Sequence, residues 1–189
     1  MNIISGTARN LLLTDLPGQE VRPTAGRARK ALFDSLGDLT GTGILDLCSG
    51  SGAIALEAAS RGAAWAVMVE KSPEHSECIR ENCRRVTAAG CNAELIEVNA
   101  DICDFARYAY QLPGPVDLIF ADPPYAISGE LFRKMASNRK FLDTCRGAKI
   151  LWEIPDFPGA MGEFIPADHL DKVQFRRFGG TIFLSGTIK

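Results

Sequence analysis

The chain has 189 residues, of which 46% are hydrophobic and 23% are charged, and its formal net charge is −2. Its length and composition predict one globular domain, or one domain with a small appendage. No apolar run approaches the roughly 18 residues that a membrane span needs, and the N-terminus lacks the charged and apolar regions of a secretory signal, so we expect a cytoplasmic protein with no membrane partner.

The first part of the chain predicts a small hairpin over the first 14 residues, followed by a helix. Thr24 is the predicted N-cap of this helix, and Gly37 is its predicted end. Arg27 and Lys30 are predicted to share its outward face. The predicted inward face consists of Ala28, Ala31, Leu32, Ser35 and Leu36.

Basic residues are concentrated in this part of the chain. Residues 1–30 contain five Arg or Lys residues against two acidic residues. A local basic patch can steer a polyanion even on a protein whose net charge is close to zero. It can equally be an ordinary solvated face, and composition alone does not separate the two interpretations.

From Gly43 onward, short apolar runs alternate with helical stretches. Continuous apolarity predicts strands that are buried on both faces, and the alternation predicts a parallel sheet with right-handed crossovers. The last 18 residues predict an antiparallel hairpin that turns at Gly179-Gly180. The predicted strands are 44–48, 64–70, 93–98, 116–121 and 148–153, and the predicted helices are about 52–61, 73–89 and 127–136, the second with Ser72-Pro73 as its start and Gly90 as its end.

Six cysteines occupy positions 48, 78, 83, 91, 103 and 145. They form no Cys-x-x-Cys pair, and the chain has only two histidines, so we expect no metal site. Without a secretory signal, the thiols are expected to stay reduced and to be mostly packed inside the protein.

A glycine-rich turn follows the first predicted strand in the segment DLCSGSG, residues 46–52. Small residues let a ligand approach the backbone, and the N-terminus of the next helix offers free N–H groups. The spacing Gly50-x-Gly52-x-x-Ala55 fits a dinucleotide-binding turn. The signal is weak by itself, because any tight strand–helix turn favours glycine.

Two acidic residues strengthen the interpretation of this turn as a binding site. Glu70 ends the second strand, where it can accept hydrogen bonds from both hydroxyls of an adenosine ribose or can simply be a solvent-facing strand end. Asp101 follows the third strand, where it can meet an adenine amino group, cap the next helix, or do both. Open α/β sheets bind ligands at the carboxyl ends of their strands, which is where both acids lie.

The fourth predicted strand ends in the segment Asp122-Pro123-Pro124-Tyr125. Proline cannot donate to a strand ladder, so the two prolines must end the strand. They also hold the Asp122 carboxylate and the Pro123 carbonyl in fixed directions, and two fixed acceptors suit a planar NH2 donor. Tyr125 can stack on an aromatic ring that carries this amine. A plain strand-ending turn is the alternative, although such a turn more often uses Gly, Asn or Asp with one proline.

Together, DLCSGSG, Glu70, Asp101 and DPPY resemble class I S-adenosylmethionine-dependent methyltransferases that modify amino nitrogens. The flanking segments narrow the resemblance to the RsmD family, which are bacterial 16S ribosomal RNA guanine-N2 methyltransferases. The similarity covers nearly the whole chain, with departures at Gly26, where an acidic residue is usual, and at Ala8-Arg9, where Gly-Arg is usual. The flanking segments are ISG near the start, RPTAGRARKALFDSL at 22–36, DLCSGSGAIALEAASRGA at 46–63 and RFGGT at 177–181.

The resemblance implies a Rossmann-like class I methyltransferase fold of the α/β class, with a seven-stranded, mostly parallel sheet and an antiparallel C-terminal hairpin. Residues 1–38 would form a hairpin-and-helix extension that contacts RNA, and residues 39–189 would form the S-adenosylmethionine-binding domain. The implied partner is 16S ribosomal RNA or a small-subunit assembly particle, with the N2 of a guanine (the guanine 966 type) as methyl acceptor. We expect the protein to act as a monomer and without a metal.

The resemblance also implies a role for each matching residue. The expected catalytic residues are Asp122, Pro123 and Tyr125. The expected cofactor-binding residues are Asp46, Cys48, Gly50, Ser51, Gly52, Glu70, Lys71, Asp101, Ile102 and Asp122. The expected RNA-binding residues are Arg9, Arg22, Thr24, Arg27 and Lys30.

Three other functions compete with this interpretation. Another amino-methyltransferase, acting on DNA adenine or on a protein glutamine, would use the same DPPY motif, although a sequence-specific DNA enzyme would need a target-recognition domain that the sequence does not suggest. A nicotinamide-dependent oxidoreductase could use the glycine turn but would leave DPPY unexplained. A catalytically silent RNA-binding scaffold would have no need for intact motifs.

Overall fold

A single seven-stranded sheet runs through the computed structural model, which describes residues 1–16, 23–156, 159–164 and 168–189. The strand order is β3-β2-β1-β4-β5-β7-β6. The first five strands pair in parallel, and β7 runs antiparallel to both β5 and β6, as predicted. The strands are β1 Gly43–Leu47, β2 Trp65–Glu70, β3 Glu94–Asn99, β4 Leu118–Ala121, β5 Lys149–Ile154, β6 Leu170–Phe178 and β7 Thr181–Ile188.

Six α-helices connect or precede these strands in the described ranges. The Ser72 hydroxyl accepts a hydrogen bond from the His75 N–H, and Pro73 is the first helical residue, which confirms the predicted helix start. Helices α4 and α6 were missed because they have only 4 and 6 residues, too few for a periodic apolar face. The helices are α1 Pro23–Leu36, α2 Ala53–Ser60, α3 Pro73–Ala88, α4 Ala106–Ala109, α5 Ser128–Ser137 and α6 Arg139–Thr144.

The sheet is the middle layer between two groups of helices. On one face, Ile44 and Phe120 pack in a hydrophobic cluster with residues of α1, α2 and α3. On the other face, Leu45 and Ile119 pack in a second cluster with residues of α4, α5 and α6. Successive side chains of a strand point to opposite faces of the sheet, and both faces are covered here. The residues that point to either face must therefore be apolar, which explains the continuous apolar runs in the sequence.

Helix α1 begins two residues earlier than the predicted N-cap at Thr24 implies. Its first residue is Pro23, whose fixed φ suits a first helical position, so Thr24 lies inside the helix and not at its N-cap. The side chain of Thr24 and the whole of Arg22, both predicted to contact RNA, lie outside the described part of the structure. The predicted end of the helix is confirmed, because Gly37 follows Leu36 with a φ of 80°.

The buried face of α1 differs in part from the prediction. Ala31 and Ser35 are exposed, whereas Arg29 lies on the buried face. The predicted inward face did not include Arg29, whose guanidinium donates a hydrogen bond to the Asn2 carbonyl of the N-terminal hairpin. Burial lowers the pKa of this guanidinium, and the nearby Glu57 carboxylate partly offsets that effect. Among the described side chains of this helix, residues 26–36, the buried ones are Ala28, Arg29, Leu32 and Phe33.

The N-terminal hairpin is confirmed, and it is bonded to helix α2. Asn2 bridges Leu12, and the Glu57 carboxylate of α2 accepts hydrogen bonds from the backbone N–H groups of Ile4 (2.7 Å) and Ser5 (3.1 Å). Glu57 is fully buried and also pairs with Arg61 Nε at 2.7 Å. The first residues of the chain are therefore held to the sheet-and-helix body by an acid that is satisfied on both oxygens.

We expect Glu57→Ala to lower the free energy of unfolding by about 3–5 kcal/mol, because it leaves the partly buried N–H groups of Ile4 and Ser5 and the Arg61 and Arg29 charges without their acid. Urea denaturation measures this change. Glu74→Ala is the matched control, since Glu74 is an exposed acid in the first turn of α3. Equal losses in the two variants would contradict the role of Glu57.

Candidate active site

The candidate site lies where the strand order of the sheet reverses. Strand β1 has β2 on one side and β4 on the other, and Leu47 and Ala121 are paired at the carboxyl ends of β1 and β4. The connections from these two strands leave toward opposite faces of the sheet, which opens a crevice between them. The glycine turn after β1 and the DPPY segment after β4 therefore border the same crevice.

The glycine turn has an unusual backbone. Cys48, Gly50 and Gly52 have φ angles of 62°, 57° and 77°, so every second residue is left-handed. A Cβ on Gly52 would lie 3.1 Å from the Met68 sulfur, which leaves glycine as the residue that suits both the φ angle and the space. Ser51 lies between the two glycines, and its carbonyl accepts a hydrogen bond from Asn82 Nδ2 at 3.0 Å.

Glu70 organises this turn. One carboxylate oxygen accepts a hydrogen bond from the Gly50 N–H at 2.9 Å, and the other accepts one from the Ser72 N–H at 2.8 Å. The residue is only 8% exposed, so it is not a solvent-facing strand end. An ionised carboxylate has about four lone-pair positions, so two remain available for the hydroxyls of a ribose.

Asp46 and Cys48 lie beneath the turn in a crowded acidic environment. Burial raises the pKa of Asp46 to about 8, with further contributions from Asp122 and Glu70, while a hydrogen bond from the Ala55 N–H (3.3 Å) opposes the shift. Burial followed by the nearby carboxylates raises the pKa of the Cys48 thiol as well. At neutral pH, Cys48 is therefore a neutral thiol and not a nucleophilic thiolate.

The third strand ends in an ion pair. Asp101 accepts a hydrogen bond from the Cys103 N–H at 2.9 Å through one oxygen and pairs with Lys71 Nζ at 2.9 Å through the other. The hydrogen bond from Lys71 is the main cause that lowers the pKa of Asp101. Ile102 is buried beside it, and its carbonyl accepts a hydrogen bond from the Tyr108 hydroxyl. The N-cap of the next helix, α4, is Phe105, so Asp101 does not cap that helix as predicted, and its bond to the Cys103 N–H closes a turn that precedes it. Its pair with Lys71 is exposed at the edge of the crevice.

The DPPY segment continues from β4 into a short 3-10 helix, Tyr125–Ile127. Pro123 is buried, whereas Asp122 and Tyr125 have exposed surface, and Tyr125 is 51% exposed. Desolvation of its carboxyl group by the surrounding protein nevertheless raises the pKa of Asp122 to about 6, while a hydrogen bond with Glu153 lowers it. At neutral pH, Asp122 is therefore mainly an ionised hydrogen-bond acceptor beside an accessible aromatic ring.

Sequence reasoning missed Glu153. It lies near the end of β5, and its carboxylate accepts a hydrogen bond from the Tyr125 hydroxyl at 2.9 Å. The available signal was an acid at the carboxyl end of an apolar strand, which is the pattern that identified Glu70. What the sequence does not contain is the strand order that places β5 beside β4.

The predicted RNA-binding residues that are described lie at the surface. Arg9 is exposed in the turn of the N-terminal hairpin, and Arg27 and Lys30 are exposed on α1. Lys30 also pairs with Asp34 at 2.6 Å. The segment that joins the hairpin to α1 starts close to the glycine turn, because the Leu16 side chain lies 3.5 Å from the position that a Cβ on Gly50 would take.

Comparison with known proteins agrees with this architecture. Residues 1–156 match the family model described as conserved hypothetical protein 95, which represents the RsmD family. The chain belongs to the RsmD family. The ribosomal RNA small subunit methyltransferase D of Escherichia coli K12 is a curated relative, 34% identical over 128 residues, which are 66% of this chain and 60% of that protein. The match thus spans about 60% of that relative's length.

Solved structures match this RsmD-family chain over its whole length. A hypothetical protein of Thermus thermophilus is 29% identical, with a TM-score of 0.72 and coverage of 100% of this chain and 99% of that one. A structure of a putative methyltransferase of Escherichia coli is 26% identical, with a TM-score of 0.74 and coverage of 100% and 98%. The Rossmann-like class I methyltransferase fold is confirmed.

Two kinds of feature are absent from the described ranges. None of their helices is long and apolar enough to cross a membrane. Within the same ranges, His, Cys, Asp and Glu side chains form no group of three or more that could hold a metal ion. All six cysteines are free thiols, three buried and three partly buried.

The raised pKa of Asp46 predicts that the stability of the protein depends on pH. An acid whose folded pKa is about 8 against an ordinary 3.8 stays protonated in the folded protein while it ionises in the unfolded chain. The contribution of Asp46 to the free energy of unfolding therefore falls by up to about 1.4 kcal/mol per pH unit as the pH rises from about 4 to about 8. We expect Asp46→Asn to remove this slope, so that the variant gains stability relative to the wild type as the pH rises through this window.

Urea denaturation at several pH values measures the difference between the two proteins. Asp104→Asn, at an exposed acid, is the control for the loss of a surface carboxyl. A constant difference between Asp46→Asn and the wild type from pH 4 to pH 8 would contradict the assignment.

Proposed function

We propose that this protein is an S-adenosylmethionine-dependent methyltransferase that acts on the N2 amino group of a guanine in 16S ribosomal RNA. The observation that carries the proposal is the position of the DPPY segment. It lies across the crevice from the glycine turn and Glu70, so an amine acceptor and an adenosine-containing donor would meet at the same strand ends. Membership of the RsmD family supports the same reaction.

The residues around the glycine turn fit S-adenosylmethionine. Glu70 keeps acceptor positions for the ribose hydroxyls, Gly50 and Gly52 leave the backbone accessible, and Asp101 and Ile102 follow β3 where the adenine would lie. The donor supplies a methyl group on a positively charged sulfonium. The carboxylates of Glu70 and Asp122 give the crevice a negative potential that suits this cation.

The DPPY segment would position the acceptor amine. The Asp122 carboxylate and the Pro123 carbonyl accept its two N–H hydrogens, which directs the nitrogen lone pair toward the methyl carbon. With the donor bound, the N2–CH3 bond would form as the S–CH3 bond breaks, and the amine would then lose a proton to an acceptor such as Asp122 or water. Since the sulfonium is a good leaving group, the protein needs to position the amine and needs no strong base.

The base must leave its stack to enter such a site. RNA loops supply unstacked bases at low cost, and the accessible ring of Tyr125 can stack on the base. The exposed Arg9, Arg27 and Lys30 would bind the phosphates around it. We infer that residues 1–38 serve as the RNA-contacting part and residues 39–189 as the cofactor-binding part.

Paired substitutions separate the two halves of the proposed site. We expect Asp122→Ala to lower the single-turnover rate of methyl transfer by about 100-fold or more, because it removes one preorganised contact to the reacting amine. Its affinity for S-adenosylmethionine should change far less. Glu70→Gln should mainly weaken cofactor binding, because a charged acceptor of the ribose hydroxyls is lost. We expect the binding free energy, measured by calorimetry, to become less favourable by about 1.5–3 kcal/mol.

The assay uses ribosomal RNA and small-subunit particles as acceptors, with the methylated nucleosides identified after digestion. Full activity of Asp122→Ala would contradict the role of the DPPY segment. Methyl groups on adenine N6, or on a protein glutamine, would overturn the assignment of guanine as the substrate but would still agree with DPPY as the site that binds the acceptor amine. Mapping the methylated guanines in ribosomal RNA from cells with and without the gene identifies the nucleotide, position 966 included.

A separate prediction concerns the basic surface of α1. We expect the double substitution Arg27→Ala/Lys30→Ala to weaken RNA binding and to reduce the slope of log affinity against log salt by about 1–2, because each lost phosphate contact removes close to one unit. Cofactor affinity should stay the same. The effect of Lys30 is expected to be the smaller one, since it already pairs with Asp34.

Arg139→Ala/Lys140→Ala is the matched control for this double substitution. Both residues are exposed and lie on α6, on the opposite face of the sheet from α1. If the two double variants bind RNA with the same affinity and salt slope as the wild type, the α1 surface is an ordinary solvated face.

A further inference from the structure

Glu153 stands beside the DPPY segment because of the register between β4 and β5. Ala121 of β4 pairs with Trp152 of β5 in the parallel ladder, so Asp122 and Glu153 are the next residues along the two strands. Their carboxyl groups share a hydrogen bond. Glu153 also accepts the hydrogen bond from the Tyr125 hydroxyl. One side chain thus contacts both the acid and the aromatic ring of the segment.

The backbone that carries Glu153 is firmly held. Strand β5 lies between β4 and β7 in the interior of the sheet, and Glu153 pairs with Phe183 of β7. Trp152 Nε1 donates to the Ser128 hydroxyl at 3.0 Å, and that hydroxyl donates to the Glu153 carbonyl at 3.3 Å. Trp152 and Ser128 are both fully buried. Glu153 is therefore a fixed support for groups that lie on a more exposed loop.

We propose that Glu153 is a positioning residue of the amine site, which orients the Tyr125 ring through its hydroxyl and the Asp122 carboxylate through a shared hydrogen bond. This inference rests on the proposed function, because positioning matters only if an amine is bound there. Glu153 acts through Asp122 and Tyr125 and does not itself touch the reacting atoms. It also gives the tyrosine hydroxyl a purpose that base stacking alone does not require.

The shared hydrogen bond also links the protonation of the two acids. Two carboxyl groups can hydrogen-bond to each other only if one of them carries a proton. When Glu153 is the donor, Asp122 stays ionised and keeps its acceptor role, which agrees with the lowering effect of this bond on the pKa of Asp122. Asp46 from β1 and the Cys48 thiol of the glycine turn also interact electrostatically with Asp122, and Glu70 from β2 interacts with both of these groups.

The test compares Glu153→Ala, Glu153→Gln and Tyr125→Phe in single-turnover methyl transfer between pH 5 and pH 9. We expect Glu153→Ala to lower the rate by about 10-fold or more and to move the acidic limb of the pH profile to higher pH, because Asp122 loses the donor that favours its ionised form. Glu153→Gln keeps an amide donor for Asp122 and an acceptor for Tyr125. Its rate should therefore fall less, and the acidic limb of its pH profile should not move to higher pH.

Tyr125→Phe should lower the rate a few-fold without moving the limb, since it removes only the contact of Glu153 to the ring. Glu94→Gln, at an exposed position in the edge strand β3, is the matched control and should behave like the wild type. A pH profile of Glu153→Ala that coincides with that of the wild type, in rate and in limb, would overturn the inference.

A readout that is independent of activity separates this inference from the proposed function. Carbon-13 NMR of the side-chain carboxyl groups follows the titration of Asp122 in the free protein. We expect two linked steps in the wild type, one step in Glu153→Gln, and a raised midpoint in Glu153→Ala. Identical Asp122 titrations in all three proteins would overturn the role of Glu153. Absence of methyl transfer by the wild type, with the linked titration present, would overturn the proposed function alone.

Discussion

The side-by-side pairing of β1 and β4 is the constraint on which the candidate site depends. These strands are far apart in the chain, yet Leu47 and Ala121 are neighbours at their carboxyl ends. The chain leaves the two strands toward opposite faces of the sheet, and this divergence makes the crevice. A different strand order would leave the glycine turn and the DPPY segment intact as local structures but would not bring them together.

The crevice concentrates acids that would repel one another in an apolar setting, and each is accommodated differently. Glu70 is satisfied by two backbone N–H groups, which also shape the glycine turn. Asp46 is buried deeply enough to remain protonated near neutral pH. Asp122 shares a hydrogen bond with Glu153. A bound sulfonium cation would relieve the remaining repulsion, so the same electrostatics that cost stability in the free protein would favour the donor.

The N-terminal segment is attached to this body by polar contacts in a buried setting. The Glu57 carboxylate accepts hydrogen bonds from two backbone N–H groups of the hairpin, and Arg29 of α1 donates a hydrogen bond to the Asn2 carbonyl. Such contacts are specific in direction, because a buried donor or acceptor without its partner is costly. The basic surface of α1 is thereby held in a defined orientation relative to the sheet, and the Leu16 side chain lies beside the glycine turn.

Local patterns in the sequence determined the α/β class, the five parallel strands, the C-terminal hairpin and the motifs at the strand ends, because apolar runs, caps and prolines act over a few residues. Tertiary structure decided the rest. The buried position of Arg29 depends on a carbonyl supplied by the hairpin, and the exposure of Ala31 and Ser35 depends on how α1 lies on the sheet. Glu153 gained its place beside Asp122 and Tyr125 only through the order of the strands. Contacts between distant residues follow from packing, and packing has no local signature in the chain.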